Sequence, residues 1–330
     1  MKDYASVTPA AFFTDYFTSH ALKLYNSFYK KDFPKVLEVP AVFHEVAKFT
    51  YEYHKQSLSE LTCTPFQKVD NRVDNDKDAV VAFSCGLDSL YEVLWLLDNG
   101  YTPHLVFVSG LNKCEGNFSI TAAREFANRL NLDLVEAHIS RSNKEKSDFF
   151  ENPARNLLIK SICLDYAIEN GWNIIASGED TETLIAEIPE GLYFCDTAEY
   201  QKIFQDSINN YSNGFCFLNT GNLNKMDKLK YVSDRGMLDY YYSCTNMAAN
   251  FAQHKRNTMQ KFNITHYVPK WNCTCCRKCT QHMIFLHELG VVKLSAEYEK
   301  YCWDKVKSSK MNMRYDFNLP KEELLKIIGD

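Results

Sequence analysis

The feature that most constrains the fold is a short apolar run at residues 79–83, followed at once by a polar loop at 84–89. Five consecutive apolar residues are typical of a strand that is buried on both faces of a sheet. Residues 90–97 then have the pattern of a helix, which we expect to stop near Gly100. A strand, a loop and a helix in this order predict one βα unit of a parallel sheet.

The same alternation continues through the middle of the chain, where apolar runs and amphipathic stretches follow one another. It predicts an α/β fold with a doubly wound parallel sheet. The predicted strands after the first are 104–108, 132–139, 172–177 and 215–218, and the predicted helices are 121–130, 153–170, 199–208, 225–236 and 281–289.

The two ends of the chain have a different texture. Residues 1–76 are rich in aromatic residues, and Phe43, Val46, Ala47 and Thr50 recur at the spacing of one helix face. We therefore predict a helical N-terminal extension at 1–76, an α/β domain at 77–242, and a metal-binding, helical C-terminal region at 243–330.

The loop at 84–89 has the residues of a phosphate site. The N-terminus of a helix attracts anions, and Ser84 and Ser89 add hydroxyl donors. Gly86 lets a phosphate approach the backbone, because it has no Cβ. Asp88 would repel a phosphate, so it suits a Mg²⁺ ion bound beside one. The competing interpretation is an ordinary polar turn between a strand and a helix, and the loop lacks the Walker A pattern.

The chain has twelve cysteines, and four of them crowd between positions 273 and 279. Three of these form C-x-x-C-x-x-C, and another cysteine lies about 30 residues upstream. Four thiolates favour a structural Zn²⁺ site with no open position. The predicted ligands are Cys244, Cys273, Cys276 and Cys279; in the competing sets Cys275, His282 or His287 replaces Cys244. A redox pair or simple reactive thiols are the alternative to a metal.

Composition restricts the class of protein. The formal net charge of −5 disfavours nonspecific nucleic-acid binding, which depends on an excess of lysine and arginine. The N-terminus has no signal-peptide pattern, and we find no apolar run long enough to span a membrane. Scattered single cysteines plus one dense group indicate a reducing compartment, so we expect a cytoplasmic protein.

The loop resembles the S-G-G-x-D-S loop of the PP-loop ATP pyrophosphatases, except that Cys85 stands where the second residue is usually Gly. This loop, followed far downstream by S-C and then C-x-x-C-x-x-C, is similar to 7-cyano-7-deazaguanine synthase over residues 79–290. The resemblance implies an ATP-dependent ligase of queuosine biosynthesis. Such an enzyme adenylates the carboxylate of a 7-carboxy-7-deazaguanine, releases AMP and pyrophosphate, and uses ammonia to form the amide and then the nitrile.

The resemblance also implies roles for residues outside the loop. Arg155, in the segment 152–156, and Lys225 match family cations that stabilise charge on the phosphates, and Gly178 matches a glycine after the fourth strand. Asp196 and Glu199 match an acidic pair at the substrate pocket. The full set is catalytic Asp88, Arg155 and Lys225; nucleotide-binding Ser84, Cys85, Gly86, Leu87, Asp88, Ser89 and Gly178; and substrate-binding Asp196 and Glu199.

Two alternatives stay open at this stage. The segment 109–114 lacks the Gln-Arg-His of the family, and His282 replaces an arginine, so the chain is also a candidate for adenylating another carboxylate, a nucleic-acid base or a protein terminus. If Cys85 narrows the loop, the chain is instead a nucleotide-binding sensor. The expected partners are a small carboxylate and ammonia, a second copy of the chain, no membrane, and a protein partner bound through the N-terminal extension.

Overall fold

The computed structural model describes most of the chain, in eleven stretches. They are residues 17–28, 33–69, 77–110, 117–139, 154–177, 198–212, 215–219, 223, 225–242, 244 and 250–307.

A five-stranded parallel sheet forms the centre of the molecule, and a separate two-stranded parallel sheet lies in the N-terminal region. The strands are β1 (Val36–Pro40), β2 (Glu60–Thr64), β3 (Asp78–Ala82), β4 (Thr102–Ser109), β5 (Leu134–His138), β6 (Ile174–Ser177) and β7 (Cys216–Asn219).

Ten α-helices accompany the strands in the described residues, with two short 3-10 helices at Ala41–Phe43 and Leu238–Tyr240. The α-helices are α1 (Thr18–Ser27), α2 (His44–Tyr53), α3 (Leu87–Asp98), α4 (Asn117–Leu130), α5 (Arg155–Asn170), α6 (Ala198–Asn209), α7 (Lys225–Asp234), α8 (Phe251–Lys261), α9 (Arg277–Glu288) and α10 (Ala296–Lys307).

The strand order in the large sheet is β5-β4-β3-β6-β7, and every neighbouring pair is parallel. The chain therefore builds outward from β3 to β5 and then returns to the other side of β3. This is the order of a doubly wound fold, in which ligands bind beyond the carboxyl ends of the strands where the winding direction reverses. That point lies between β3 and β6.

Side chains of the central strand alternate between two hydrophobic cores. Val81 and Phe83 pack with α3, α4, α7, α9 and α10, whereas Val80 packs with α1, α2, α5 and α6. Both faces of the sheet are covered, which explains why residues 79–83 are apolar throughout. The prediction of an α/β fold with a parallel sheet is confirmed.

The N-terminal region belongs to the second core. Phe17 and Thr18 begin α1, and their backbone N–H groups donate to the carboxylate of Asp165 on α5, at 2.8–3.2 Å. Asp165 is fully buried and thus takes the place of an N-cap side chain. The prediction of a helical extension was incomplete, because β1 and β2 also lie there; their pairing needs two segments about 24 residues apart, which periodicity does not reveal.

The predicted strands and helices between 79 and 289 fall on elements of the same type, with ends shifted by a few residues. Helix α8 was not predicted. The domain boundaries proposed at 76 and 242 stay predictions. Among the described residues, no helix is both long and apolar enough to cross a membrane.

Candidate functional site

The loop at 84–89 lies at the reversal point of the sheet. It begins after the carboxyl end of β3 and runs into the first turn of α3. Helix α3 begins without a side-chain cap, since its N-cap residue is Gly86. The first N–H groups of a helix have no partner within the helix, so an uncapped helix start at this edge suits an anion.

Two serines fix the shape of the loop. The Ser84 N–H donates to Ser89 Oγ at 3.3 Å, and Ser89 Oγ donates to Gly86 O at 3.2 Å. The Gly86 N–H donates to Ser84 Oγ, also at 3.2 Å. A Cβ on Gly86 would lie 3.1 Å from Ser84 Oγ, closer than most real Cβ contacts. The hydrogen bonds therefore fix the loop in a compact conformation, and at position 86 this conformation leaves little room for a Cβ.

Cys85 has an unusual backbone conformation. Its φ of 59° lies in the left-handed region that favours glycine. Its side chain is fully buried among the core residues of α3 and α4, and burial raises the pKa of its thiol well above the ordinary value. The thiol therefore lies in the core rather than in the opening of the loop, and the glycine usual in the resembling family has a conformational reason.

Asp88, in the first turn of α3, forms an ion pair across the site. Its Oδ1 accepts from Lys228 Nζ on α7 at 3.0 Å. The Asp88 side chain is 45% exposed and the Lys228 side chain fully buried. The ammonium also lies 5.6 Å from the centre of the Tyr91 ring. A carboxylate open to solvent is thus backed by a buried cation at the start of the helix.

Helices α3 and α7 are joined along their length as well. The Tyr231 hydroxyl on α7 and the guanidinium of Arg235, directly after α7, both donate to Asp98 at the end of α3. These hydrogen bonds lower the pKa of Asp98, and the one from Tyr231 has the largest effect. Lys228 is therefore placed by a helix that is attached to α3 at both ends.

The other predicted site residues begin helices at the same edge of the sheet. Arg155 starts α5, where its Nη1 lies 3.4 Å from Asn156 Oδ1, and Lys225 starts α7, one turn before Lys228. Glu199 lies in the first turn of α6 and is exposed. Gly178 and Asp196 lie outside the described residues. The topology therefore brings the starts of these helices to the carboxyl edge of the sheet. The residue that forms the ion pair with Asp88 is Lys228, which was not among the predicted site residues.

The second cluster, which we call the cysteine knuckle, consists of residues 272–279 and Cys244. The sulfur atoms of Cys244, Cys273, Cys276 and Cys279 all lie within 4.8 Å of one another. Four thiolates on one tetrahedral zinc ion are about 3.8 Å apart, given Zn–S bonds of about 2.3 Å. A four-iron cluster spreads its thiolates over separate iron atoms and needs wider spacing. The geometry suits a single metal ion.

The backbone of the knuckle favours negative sulfur. Cys276 is the N-cap of α9, and its N–H donates to Cys273 Sγ at 3.3 Å. The Cys273 N–H donates to Cys279 Sγ at the same distance. Hydrogen bonding from the Cys244 thiol lowers the pKa of Cys273 and of Cys276. A helix start and N–H donors around thiolates are what a metal–thiolate site requires.

Residues outside the cysteine pattern hold the knuckle in shape. The Asn272 side chain accepts from the Thr274 N–H at 2.7 Å and donates to Cys279 O at 3.0 Å. Thr274 has a φ of 63°, and its carbonyl accepts from the Tyr298 hydroxyl on α10 at 2.9 Å. Burial raises the pKa of Tyr298, so this hydroxyl remains a donor.

The competing ligands are placed differently. His282 pairs with the Tyr241 hydroxyl, and His287 Nδ1 lies 3.2 Å from Val292 O. Cys275 is half-buried, with its sulfur 3.6 Å from that of Cys273. The compact four-sulfur group contains Cys244 and not Cys275.

One residue connects the two clusters. The Tyr242 N–H donates to the carbonyl of Cys85 at 2.8 Å, and Tyr242 lies two positions before Cys244. Trp271, next to the knuckle, packs in the same core as the side chain of Cys85. The knuckle is therefore attached directly to the back of the 84–89 loop.

Sequence reasoning missed three of these residues. Lys228 follows Lys225 by one helical turn, so the lysine spacing on α7 was the one available signal. Tyr242 adjoins the predicted Cys244, but nothing marks its backbone as a partner of Cys85. Tyr298 lies 24 residues beyond its acceptor, and its role depends on the packing of α10.

The fold and the site define a doubly wound α/β protein with a glycine-started helix at the sheet reversal and a four-cysteine knuckle. No family model and no curated protein matches the chain. Among solved structures it is similar to the U34-tRNA thiolase NcsA from Methanococcus maripaludis with its [4Fe-4S] cluster, with a TM-score of 0.38 and 14% identity over 68% of this chain and 76% of that chain. The fold assignment rests on the strand order and registers above, because a likeness of this degree adds nothing to them.

Proposed function

We propose that the protein is an ATP-dependent adenylating enzyme of the PP-loop type. The observation that carries the proposal is the pair of Asp88 and buried Lys228 at the uncapped start of α3, beyond the carboxyl end of β3. A carboxylate for a divalent cation, a fixed ammonium and helix N–H groups are the parts that hold a polyphosphate.

Each part of this site has a separate task in the proposed reaction. The first N–H groups of α3 and the hydroxyls of Ser84 and Ser89 bind the β- and γ-phosphates. Asp88 is the side chain that would hold Mg²⁺, which supplies neutralising charge when bound. Lys228, together with Arg155 and Lys225, stabilises negative charge as pyrophosphate leaves. The residues act by position and charge, so no general base is assigned.

The proposed substrate is a carboxylate of the 7-carboxy-7-deazaguanine type. Its carboxylate attacks the α-phosphorus of ATP, pyrophosphate leaves, and ammonia then displaces AMP to give the amide. A second ATP-dependent step dehydrates the amide to the nitrile. The support for this substrate is the ordered resemblance along the chain, in which Asp196 and Glu199 match the family's pocket positions.

We propose that the cysteine knuckle holds a structural zinc ion. The donors are four sulfur atoms within 4.8 Å of one another. Because these ligands fill all four positions of a tetrahedral zinc ion, no position is left for a substrate. Zinc would fix the knuckle, and through Tyr242 the back of the 84–89 loop. This role separates the metal from the chemistry.

The position of Cys85 favours an enzyme over a nucleotide sensor. Its thiol is buried in the core, so it takes no space from a phosphate at the loop. The alternative in which the chain adenylates a different substrate keeps the same site. That alternative is supported by the segment 109–114, which differs from the family's pattern.

The direct test is to incubate the zinc-loaded protein with ATP, Mg²⁺, ammonium and 7-carboxy-7-deazaguanine. We expect AMP, pyrophosphate and the amide or nitrile product. Asp88→Asn should reduce AMP release by at least about 100-fold. Asp234→Asn, on exposed α7 surface, is the matched control and should leave the rate unchanged.

The outcomes separate the candidates. AMP release that requires another substrate would keep the adenylating enzyme and reject the deazaguanine. ATP binding without any turnover, equal in wild type and Asp88→Asn, would favour a nucleotide-binding protein and overturn the proposal.

A further inference from the structure

One cysteine of the knuckle has no role in the proposed zinc site. Cys275 lies outside the compact group of four sulfur atoms, yet its sulfur is only 3.6 Å from that of Cys273, which belongs to the group. Cys275 is half-buried, whereas Cys273 is fully buried. Of these two cysteines, Cys275 is therefore the one more open to a small molecule from solvent.

The backbone between the two cysteines keeps their sulfur atoms close together. Thr274 has a φ of 63°, so the chain turns between Cys273 and Cys275. On α10, the Tyr298 hydroxyl donates to the Thr274 carbonyl at 2.9 Å. The Tyr301 hydroxyl donates to the Cys275 carbonyl at 3.5 Å, so the helix holds the turn at both residues. A disulfide bond is about 2.05 Å long, so the two sulfur atoms need to approach by roughly 1.5 Å to form one.

We propose that Cys275 is an oxidation site that controls the metal: a small hydroperoxide joins Cys275 to Cys273 in a disulfide, and the zinc ion loses a ligand. This inference rests on the structural zinc of the proposed function. Accessible thiols beside a second thiol are the usual sites of reversible oxidation, and a half-buried sulfur suits an oxidant of this small size. Because Tyr242 connects the knuckle to the carbonyl of Cys85, loss of the metal also acts on the back of the 84–89 loop.

The oxidation has two steps. The Cys275 sulfur attacks hydrogen peroxide, the O–O bond breaks, and the thiol becomes a sulfenic acid as water leaves. The Cys275 thiol donates toward Cys273 Sγ, so an acceptor for the departing proton lies 3.6 Å away. The Cys273 thiolate then attacks the Cys275 sulfur, the S–S bond forms and hydroxide leaves. Two electrons pass from the sulfur atoms to the peroxide, and the electron pair that bound zinc enters the disulfide.

The test measures zinc release from the reduced, zinc-loaded, full-length protein after addition of hydrogen peroxide, with a coloured zinc chelator as the probe. Wild type should release its zinc, and mass spectrometry of alkylated peptides should find Cys273 and Cys275 joined. Cys275→Ser should release zinc at least about 10-fold more slowly than wild type. Cys63→Ser, which changes an exposed cysteine of β2, is the matched control and should release zinc at the wild-type rate.

Several results would overturn the proposal. They are equal release rates in wild type and Cys275→Ser, a disulfide that omits Cys275, loss of zinc from Cys275→Ser before any peroxide is added, or no zinc in the reduced wild type. AMP release by the reduced protein is measured in parallel. Zinc release through Cys275 with no AMP release would reject the proposed adenylating function alone, and AMP release with zinc release that does not depend on Cys275 would reject this inference alone.

Discussion

The 84–89 loop and the cysteine knuckle are connected through Tyr242, yet they differ in how far apart in the sequence their residues lie. The loop uses six consecutive residues, and its hydrogen bonds join Ser84, Gly86 and Ser89 to one another. The knuckle draws on Cys244, on residues 272–279 and on Tyr298 of α10. One site is local in the chain and mainly backbone, and the other is assembled from distant side chains.

This difference has an energetic consequence. A loop that follows a buried strand receives its shape from the sheet, so most single changes there should alter ligand binding more than folding. The knuckle has only a small core of its own, formed with Phe251 and Tyr242. Its conformation therefore depends on whatever joins the four sulfur atoms, and changes there should act first on stability.

The largest expected effect is the loss of a knuckle ligand. Cys273→Ser should abolish stoichiometric zinc binding and lower the free energy of unfolding by on the order of 5 kcal/mol, because metal binding and folding are coupled in such sites. Metal analysis and urea unfolding measure both quantities.

Cys275→Ser is the matched control for this change, since its sulfur lies in the same segment but outside the compact group. It should keep one zinc per chain. If Cys275→Ser lost the metal and Cys244→Ser kept it, the ligand set would be the competing one.

The next effect concerns Lys228 and Lys225, which begin α7 one turn apart. Lys228→Met should lower the rate of ATP cleavage by about 10- to 100-fold and weaken Mg²⁺-ATP binding, because Asp88 loses its fixed counter-ion. Lys225→Met, whose predicted role comes from resemblance, should have the smaller effect. Steady-state kinetics over a range of Mg²⁺ concentrations measure both effects. If Lys225→Met lost more ATP cleavage activity than Lys228→Met, Lys225 would be the main phosphate-binding lysine, as the sequence predicted.

The two regions should respond to pH with opposite sign. In the metal-free protein, hydrogen bonding from Cys244 lowers the pKa of Cys276 to about 6, so the stability that this thiolate contributes is complete above the unfolded thiol value of about 8.5 and is lost as the pH falls through 6. Burial raises the pKa of Cys85, so its contribution is complete below about pH 8.5 and is lost as the pH rises above it, by about 1.4 kcal/mol per pH unit. Urea unfolding of the metal-free protein between pH 5 and 10 measures both the acidic limb and the alkaline limb of this stability profile.

Two variants test which residue causes the loss of stability at acidic pH and which causes it at alkaline pH. Cys276→Ser should flatten the acidic limb, and Cys85→Ala should make the alkaline limb shallower. An alkaline limb unchanged in Cys85→Ala would show that other buried groups, such as Cys163 with its pKa raised by burial to about 12, control it.

The sequence predicted the local features well and the assembled ones poorly. The order of strands and helices from 79 to 289 followed from apolar runs and amphipathic spacing. In a doubly wound sheet, buried strands are apolar on both faces and the covering helices are apolar on one face, so the sequence pattern reflects the burial. Cys273, Cys276 and Cys279 followed from ligand spacing, whereas Cys244 was one of several candidates for the fourth ligand. Lys228 was not predicted, since an ion pair between α3 and α7 depends on how two helices 140 positions apart pack. Likewise β1 and β2 pair with each other in a separate sheet, in a region whose helical periodicity dominated the prediction.

The smallest expected effect sharpens the comparison at the residue where the loop departs from its pattern. Cys85→Gly relieves a left-handed conformation that costs a non-glycine residue about 1–2 kcal/mol, but it also removes a buried side chain and adds freedom to the unfolded chain. We expect stability within about 1 kcal/mol of wild type and unchanged ATP affinity. Cys85→Ala keeps the strained backbone and loses only the sulfur, so the difference between the two variants in urea unfolding measures the strain relieved minus the freedom that glycine adds to the unfolded chain. If Cys85→Gly instead raised ATP affinity by 10-fold or more, the thiol would restrict the loop after all, and the sensor hypothesis would regain its support.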